Sequence, residues 1–136
     1  MKKKIFISYR ITGEDREELK TTMQRICQSI ETVGFDCFYS FQKDDFFQEN
    51  NFTKKQILEY APKEIDKADC VLVVVKSQEK SEGMLLEIGY ALAKNKKIVL
   101  AIKKDIQTVF LCEMASSIIE FENLDDLNAR LSVLSF

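Results

Sequence analysis

Histidine is absent from this chain. Its absence excludes every Ser–His or Cys–His catalytic pair and every His-based metal site. Any chemistry must come from carboxylates, hydroxyls, thiols, amines or backbone amides, and the sequence calls for no metal or cofactor. The four cysteines, Cys27, Cys37, Cys70 and Cys112, form no CxxC pair. Each stands among apolar residues and reads as a reduced thiol in or near the core. A charge excess is also missing: 20 basic residues face 22 acidic ones, for a net charge of -2. No strongly basic face follows, so nucleic acid is not expected as a partner. After the basic start Met1-Lys2-Lys3-Lys4 come three apolar residues, Ile5-Phe6-Ile7, before polar residues return. Those are too few for a signal peptide or a membrane span, so a buried strand in a cytoplasmic protein is expected there.

What is present fits one α/β domain spanning 1–136. A chain of 136 residues, 46% hydrophobic and 31% charged, is long enough for one real core and too short for two. Residues 4–9 read as a first strand, followed by turn and helix-start chemistry at Thr12-Gly13-Glu14-Asp15. Leu19, Met23, Ile26, Ile30 and Val33 then recur at steps of four, three, four and three, an amphipathic helix stopped by Gly34 as its C-cap. A second strand is expected over 35–39. Residues 40–51 mix polar and aromatic side chains without a period and read as a long loop. Its Phe41, Phe46 and Phe47 either close over a base or pack on a partner subunit. Residues 53–68 have helical spacing, with Pro62 expected to kink or restart the helix.

Residues 70–75 are continuous and mostly β-branched, as in a strand buried on both faces of a parallel sheet. A helix over 83–94, a strand over 97–102, a helix over 105–114, a strand over 117–121 and a helix over 124–134 complete the series. Strict alternation implies a doubly wound, flavodoxin- or Rossmann-like five-stranded parallel sheet of order 2-1-3-4-5, with helices on both faces. Ligands of such folds bind beyond the carboxyl ends of the strands where the order reverses, here between strands one and three. The loops that matter are therefore 8–13 and 76–83.

The second loop leads into Ser81-Glu82-Gly83-Met84-Leu85-Leu86-Glu87-Ile88-Gly89-Tyr90-Ala91-Leu92-Ala93. Glu87 is flanked by apolar residues about one turn into a helix. Near the positive end of the helix dipole it is expected to stay ionised and to face a ligand. Helical period alone is equally met by Glu87 riding the exposed side of the helix. Gly89 removes bulk just after it, for close packing or ligand approach. Ser81 and the amides around Gly83 offer neutral donors suited to a phosphate.

This stretch, followed by Lys96-Lys97-Ile98-Val99-Leu100, resembles the nucleoside 2-deoxyribosyltransferase superfamily, and within it the 2′-deoxynucleoside 5′-phosphate N-hydrolase branch. The resemblance is clearest over 57–115, with a weaker echo over 10–16. It implies a hydrolase or transferase acting on the N-glycosidic bond of a nucleoside or its 5′-monophosphate, with Glu87 as nucleophile forming a glycosyl-enzyme ester. It also implies a 5′-phosphate site at Ser81 and Gly83, and a homodimer. Two positions depart from the pattern. Ala61 stands where an aspartate helps orient sugar and base, and Cys112 where a phosphate-contacting serine is lent across the dimer. Glu59, Glu64, Asp44 and Asp45 are open as substitutes. Asp69 is not, since it precedes strand three at the opposite end of the sheet.

Residues Ile5-Phe6-Ile7-Ser8-Tyr9-Arg10 resemble the opening of a bacterial TIR domain, a fold some of whose members cleave NAD. That likeness would make Glu87 an NAD-cleaving glutamate, though the chain lacks the tryptophan often found ahead of it. Ser8, Tyr9, Arg10 and Gly13 are candidate substrate contacts on the first loop, or no more than a strand end and turn. Three functions follow as alternatives: a nucleotide N-glycosidase or deoxyribosyltransferase, a non-catalytic nucleotide-binding or assembly module, and a TIR-like NAD glycohydrolase.

Overall fold

The computed structural model describes residues 2–11, 13–108 and 110–133, and for Phe41 the backbone. Five parallel strands, β1 (Lys4–Tyr9), β2 (Asp36–Phe38), β3 (Cys70–Val75), β4 (Lys97–Lys103) and β5 (Ser117–Phe121), form one sheet in the order β2-β1-β3-β4-β5. This is the order expected from the sequence. β1 lies at the centre of the reversal, with Ser8 beside Val73 and Tyr9 beside Val74 of β3. Every residue of β3 is buried, which is why its sequence shows no polar alternation.

Strand alternation sorts the core into two layers. Ile5, Ile7, Leu72 and Val99 pack under α1 (Arg16–Thr32) and α6 (Leu124–Leu131). Phe6, Val71, Val73 and Leu100 pack under α3 (Lys54–Lys67) and α4 (Glu82–Ala93). Helices therefore cover both faces. Asp15 caps α1 by accepting from the Glu18 amide, and Gly34, at φ +96°, ends it. The Gly34 and Phe35 amides close back on Glu31 and Ile30, the left-handed stop that glycine permits.

Three segments differ from the sequence expectation. Residues 40–51 are not a loop: a 3-10 turn over Ser40–Lys43 leads into α2 (Asp44–Glu49). α2 buries one side chain, Phe47, so six residues leave no period to read. Its Phe46 and Phe47 pack on Phe52 and Tyr60 of the same chain, with ring centroids 5.2–6.2 Å apart. The side chain of Phe41 lies outside the described residues.

The second difference is that α3 runs through Pro62 without a restart. The missing amide strands only the carbonyl of Leu58, on the exposed side of the helix, while a Thr53–Gln56 capping box secures its start. Third, the helix expected over 105–114 shrinks to α5 (Leu111–Met114). Asp105 adopts φ +73°, left-handed backbone that cannot begin a right-handed helix. Thr12 and Leu134 lie outside the described residues.

The four cysteines are unpaired thiols; Cys27 and Cys70 are buried, Cys37 and Cys112 half-buried. Burial pushes the Cys70 thiol up to about 11. Among the described residues no helix is long and apolar enough to cross a membrane, and no cluster of three or more acidic or thiol groups could hold a metal.

Candidate active site

Alternation along β1 turns Phe6 and Ser8 toward the α3–α4 side of the sheet. Ser8 is fully buried there, among valine and leucine side chains, so its hydroxyl needs a partner within the protein. That partner is Glu87: Ser8 Oγ donates to Glu87 Oε1 at 2.7 Å. The carboxyl sits against a mostly apolar layer. Burial raises it to about 7, against the opposing effect of the Ser8 hydrogen bond. The sequence alone predicts a carboxylate kept ionised by the helix dipole. Glu87 is the sixth residue of α4, beyond the reach of the terminal amides, so desolvation wins.

Helix spacing explains why Glu87 points inward. Met84, Ile88 and Ala91 form the buried stripe of α4, and Glu87 lies at i+3 from Met84 on that same stripe. The leucines beside it point out, Leu86 being 63% exposed. Gly89 is exposed, and a Cβ there would meet nothing within 4 Å. No close approach accounts for that glycine.

The carboxyl lines a cavity of about 910 Å³ beyond the carboxyl end of β1, walled by α2, α3 and the start of α4. Tyr9, Ser81, Gly83 and Glu87 all line it. Ser81 is the N-cap of α4 and accepts from the Met84 amide at 3.2 Å, which leaves its O–H able to donate. The first i to i−4 bond of α4 starts at Leu85, so the Glu82 and Gly83 amides are helix-start donors without an intrahelical acceptor. A Cβ on Gly83 would meet open space. This end of the cavity can hold an anion.

The remaining wall joins three residues that the sequence singled out, Asp44, Phe47 and Ala61, to others that it did not. Arg16 and Asp44 pair at 2.5 Å across the mouth, joining α1 to α2. Gln48, Asn51, Phe47 and Phe52 follow, with Ile57, Leu58 and Ala61 from α3. Of the four carboxylates open as substitutes for the missing aspartate, Asp44 lines the cavity; Glu59, Glu64 and Asp45 do not. Glu64 is held by Lys4 at 2.6 Å. The neighbouring Asp69 accepts from the Lys4 amide, at the far end of the sheet as expected. The sequence of α2 shows no helical period, so nothing in it marks Asp44 and Gln48 as sharing a face.

The other candidates fall outside this wall. Ser8 lies beneath the cavity floor, behind Glu87. Arg10 pairs with Glu14 at 3.4 Å and Glu79 at 2.8 Å, folded over Gly13. Cys112 sits on α5 with Thr108 Oγ1 at 3.2 Å from its sulfur.

The family model described as nucleoside 2-deoxyribosyltransferase matches residues 11–127. The chain belongs to the nucleoside 2-deoxyribosyltransferase family. The chemistry of this deoxyribosyltransferase family member therefore lies at the N-glycosidic bond of nucleosides, by transfer or hydrolysis. No curated protein matches it. Among solved structures, the CMP N-glycosidase BcmB of Clostridium botulinum is similar at a TM-score of 0.71 and 18% identity, covering 96% of this chain and 98% of that one. The 2-deoxyribosyltransferase of Bacillus psychrosaccharolyticus gives 0.56 and 19%, covering 98% of both chains. That of Leishmania mexicana gives 0.58 and 17%, covering 74% of this chain and 64% of its own. At these identities the likeness is one of fold.

Proposed function

We propose that this protein cleaves the N-glycosidic bond of a nucleoside 5′-monophosphate, with Glu87 as nucleophile. The observation that carries the reading is Glu87, bonded to Ser8 behind it, lining a cavity of nucleotide size. Ionised Glu87 attacks C1′ through the oxygen that Ser8 leaves unbound. The C1′–N bond breaks, its electron pair goes to the departing base, which takes a proton from solvent water, and a glycosyl ester remains. Water, or a second base, then displaces Glu87 from C1′. The helix-start amides with Ser81 hold the phosphate, and the Asp44, Gln48 and Asn51 side of the cavity takes the base.

The reading includes a single domain over 1–136, a homodimer and a cytoplasmic location. Exposed apolar side chains at Leu85, Met114 and Ile118 support an interface, and four unpaired thiols support a reducing compartment. A second reading rests on Ala61, which faces the cavity where the family pattern has an aspartate: a module that binds nucleotide without cleaving it.

Incubation with CMP, dCMP and the other deoxynucleoside monophosphates, the free nucleosides and NAD, monitored for released base, tests the set. Base released from a monophosphate supports the proposal. Release from NAD alone supports the TIR-like alternative, and binding without release supports the non-catalytic one. Because attack needs the carboxylate and burial holds Glu87 up to about 7, kcat should rise as pH increases through about 7. A rate independent of pH between 5 and 8 would contradict Glu87 as nucleophile. Ser81→Ala should raise KM for a monophosphate about three- to tenfold while leaving KM for its nucleoside nearly unchanged. Equal effects on both would argue against a phosphate at this helix start. Comparing the two substrates removes the general cost of losing the helix cap.

A further inference from the structure

We propose that Glu14 is a positioning residue, the centre of an ion-pair clasp that fixes the phosphate end of the site by holding the 76–80 loop against the β1–α1 loop. The inference rests on the nucleotide reading above. Glu14 uses both carboxylate oxygens: Oε1 lies 3.4 Å from Arg10 Nη1, and Oε2 lies 3.3 Å from Lys76 Nζ. Arg10 Nη2 continues to Glu79 at 2.8 Å. The charges alternate along Lys76, Glu14, Arg10 and Glu79, and both ends of the series stand on the loop leaving β3. Lys76 directly follows the strand, and Glu79 comes two residues before Ser81.

Glu14 and Arg10 are only 19% and 22% exposed, so solvent screens their pair less than an open surface pair. The loop's other side-chain bonds, Ser77 to the Glu79 carbonyl and Lys80 to the Gln78 carbonyl, stay within the loop. The clasp thus ties the start of α4 to β1. Gly13 belongs to it as well. A Cβ there would stand 2.6 Å from Arg10 Nη2, on backbone at φ +83°, so Arg10 can fold back only over a glycine.

Glu14→Gln keeps the shape and removes the charge that Arg10 and Lys76 share. Expected are a three- to fivefold higher KM for CMP, an unchanged KM for cytidine, and faster amide exchange over residues 76–83 in the free protein; these factors correspond to about two weak ion pairs. Gly13→Ala, which displaces Arg10, should speed exchange in the same segment. A lower KM for CMP in Glu14→Gln would overturn the proposal, because it would mean that Arg10 binds phosphate itself once Glu14 stops competing for it. Unchanged exchange over 76–83 in both variants would overturn it too. If the unmodified protein releases no base from any substrate, the glycosidic reading fails, while the exchange measurement still decides the clasp.

Discussion

Glu87→Gln is expected to abolish base release, lowering kcat on the order of 10⁴-fold or more as nucleophile substitutions do, and to make the protein more stable at alkaline pH. Both effects come from one cause. Burial holds the carboxyl up to about 7, well above an unfolded glutamate. Above pH 7 both folded and unfolded forms carry the charge, and the folded form bears the desolvation. As pH falls from about 7 toward the unfolded value, the native state takes up a proton that the unfolded state does not, and the cost is relieved. A shift of this size corresponds to roughly 3 kcal/mol. Glutamine is neutral at every pH. The variant should therefore exceed the parent in stability at pH 8 by about 2–3 kcal/mol and match it near pH 4, where glutamate is protonated. Denaturant titrations at the two pH values would measure this. A variant no more stable at pH 8 than at pH 4, relative to the parent, would place the carboxyl in water.

Ser8→Ala should lower kcat about 10- to 100-fold, the cost of a charge-assisted hydrogen bond, and move the acidic limb of the kcat profile to higher pH. The sign follows from the bond. The hydroxyl donates to Glu87 Oε1, favouring the carboxylate and opposing burial, so without it protonation is easier and the active form appears later. KM should change little, because Ser8 lies behind Glu87. Ser8→Thr, which keeps a hydroxyl, should return the limb toward its original position. A Ser8→Ala enzyme with lowered rate and an unmoved limb would make Ser8 a packing residue.

The strands were legible because each is short, apolar and bounded by turn chemistry. Val71, Val73 and Val75 already announced a strand buried on both faces, and the alternation with helices set the sheet order. The site was legible only in part. Glu87 stood out by its apolar neighbours, although those leucines turned out to face solvent. The better signal was its place on the stripe of Met84, Ile88 and Ala91, which argues for the inward direction without any likeness to a family. Its partner could not be read: Ser8 lies 79 residues away, and only the pairing of β1 with β3 under α4 brings the two together. Arg10 and Gly13 looked like a ligand loop because charge next to glycine is common to both uses. The structure instead engages Arg10 with Glu14 and Glu79. Asp44 stood among four open carboxylates and Gln48 was unmarked, because a six-residue helix burying only Phe47 has no period.

The glycosyl ester can be sought directly. Quenching the reaction with a 2′-fluorinated deoxynucleoside 5′-monophosphate, whose ester hydrolyses slowly, and mapping the added mass by peptide sequencing should find the sugar phosphate on the Glu87 side chain. Base released with the label on another residue, or with none retained at any time, would contradict covalent attack by this carboxylate.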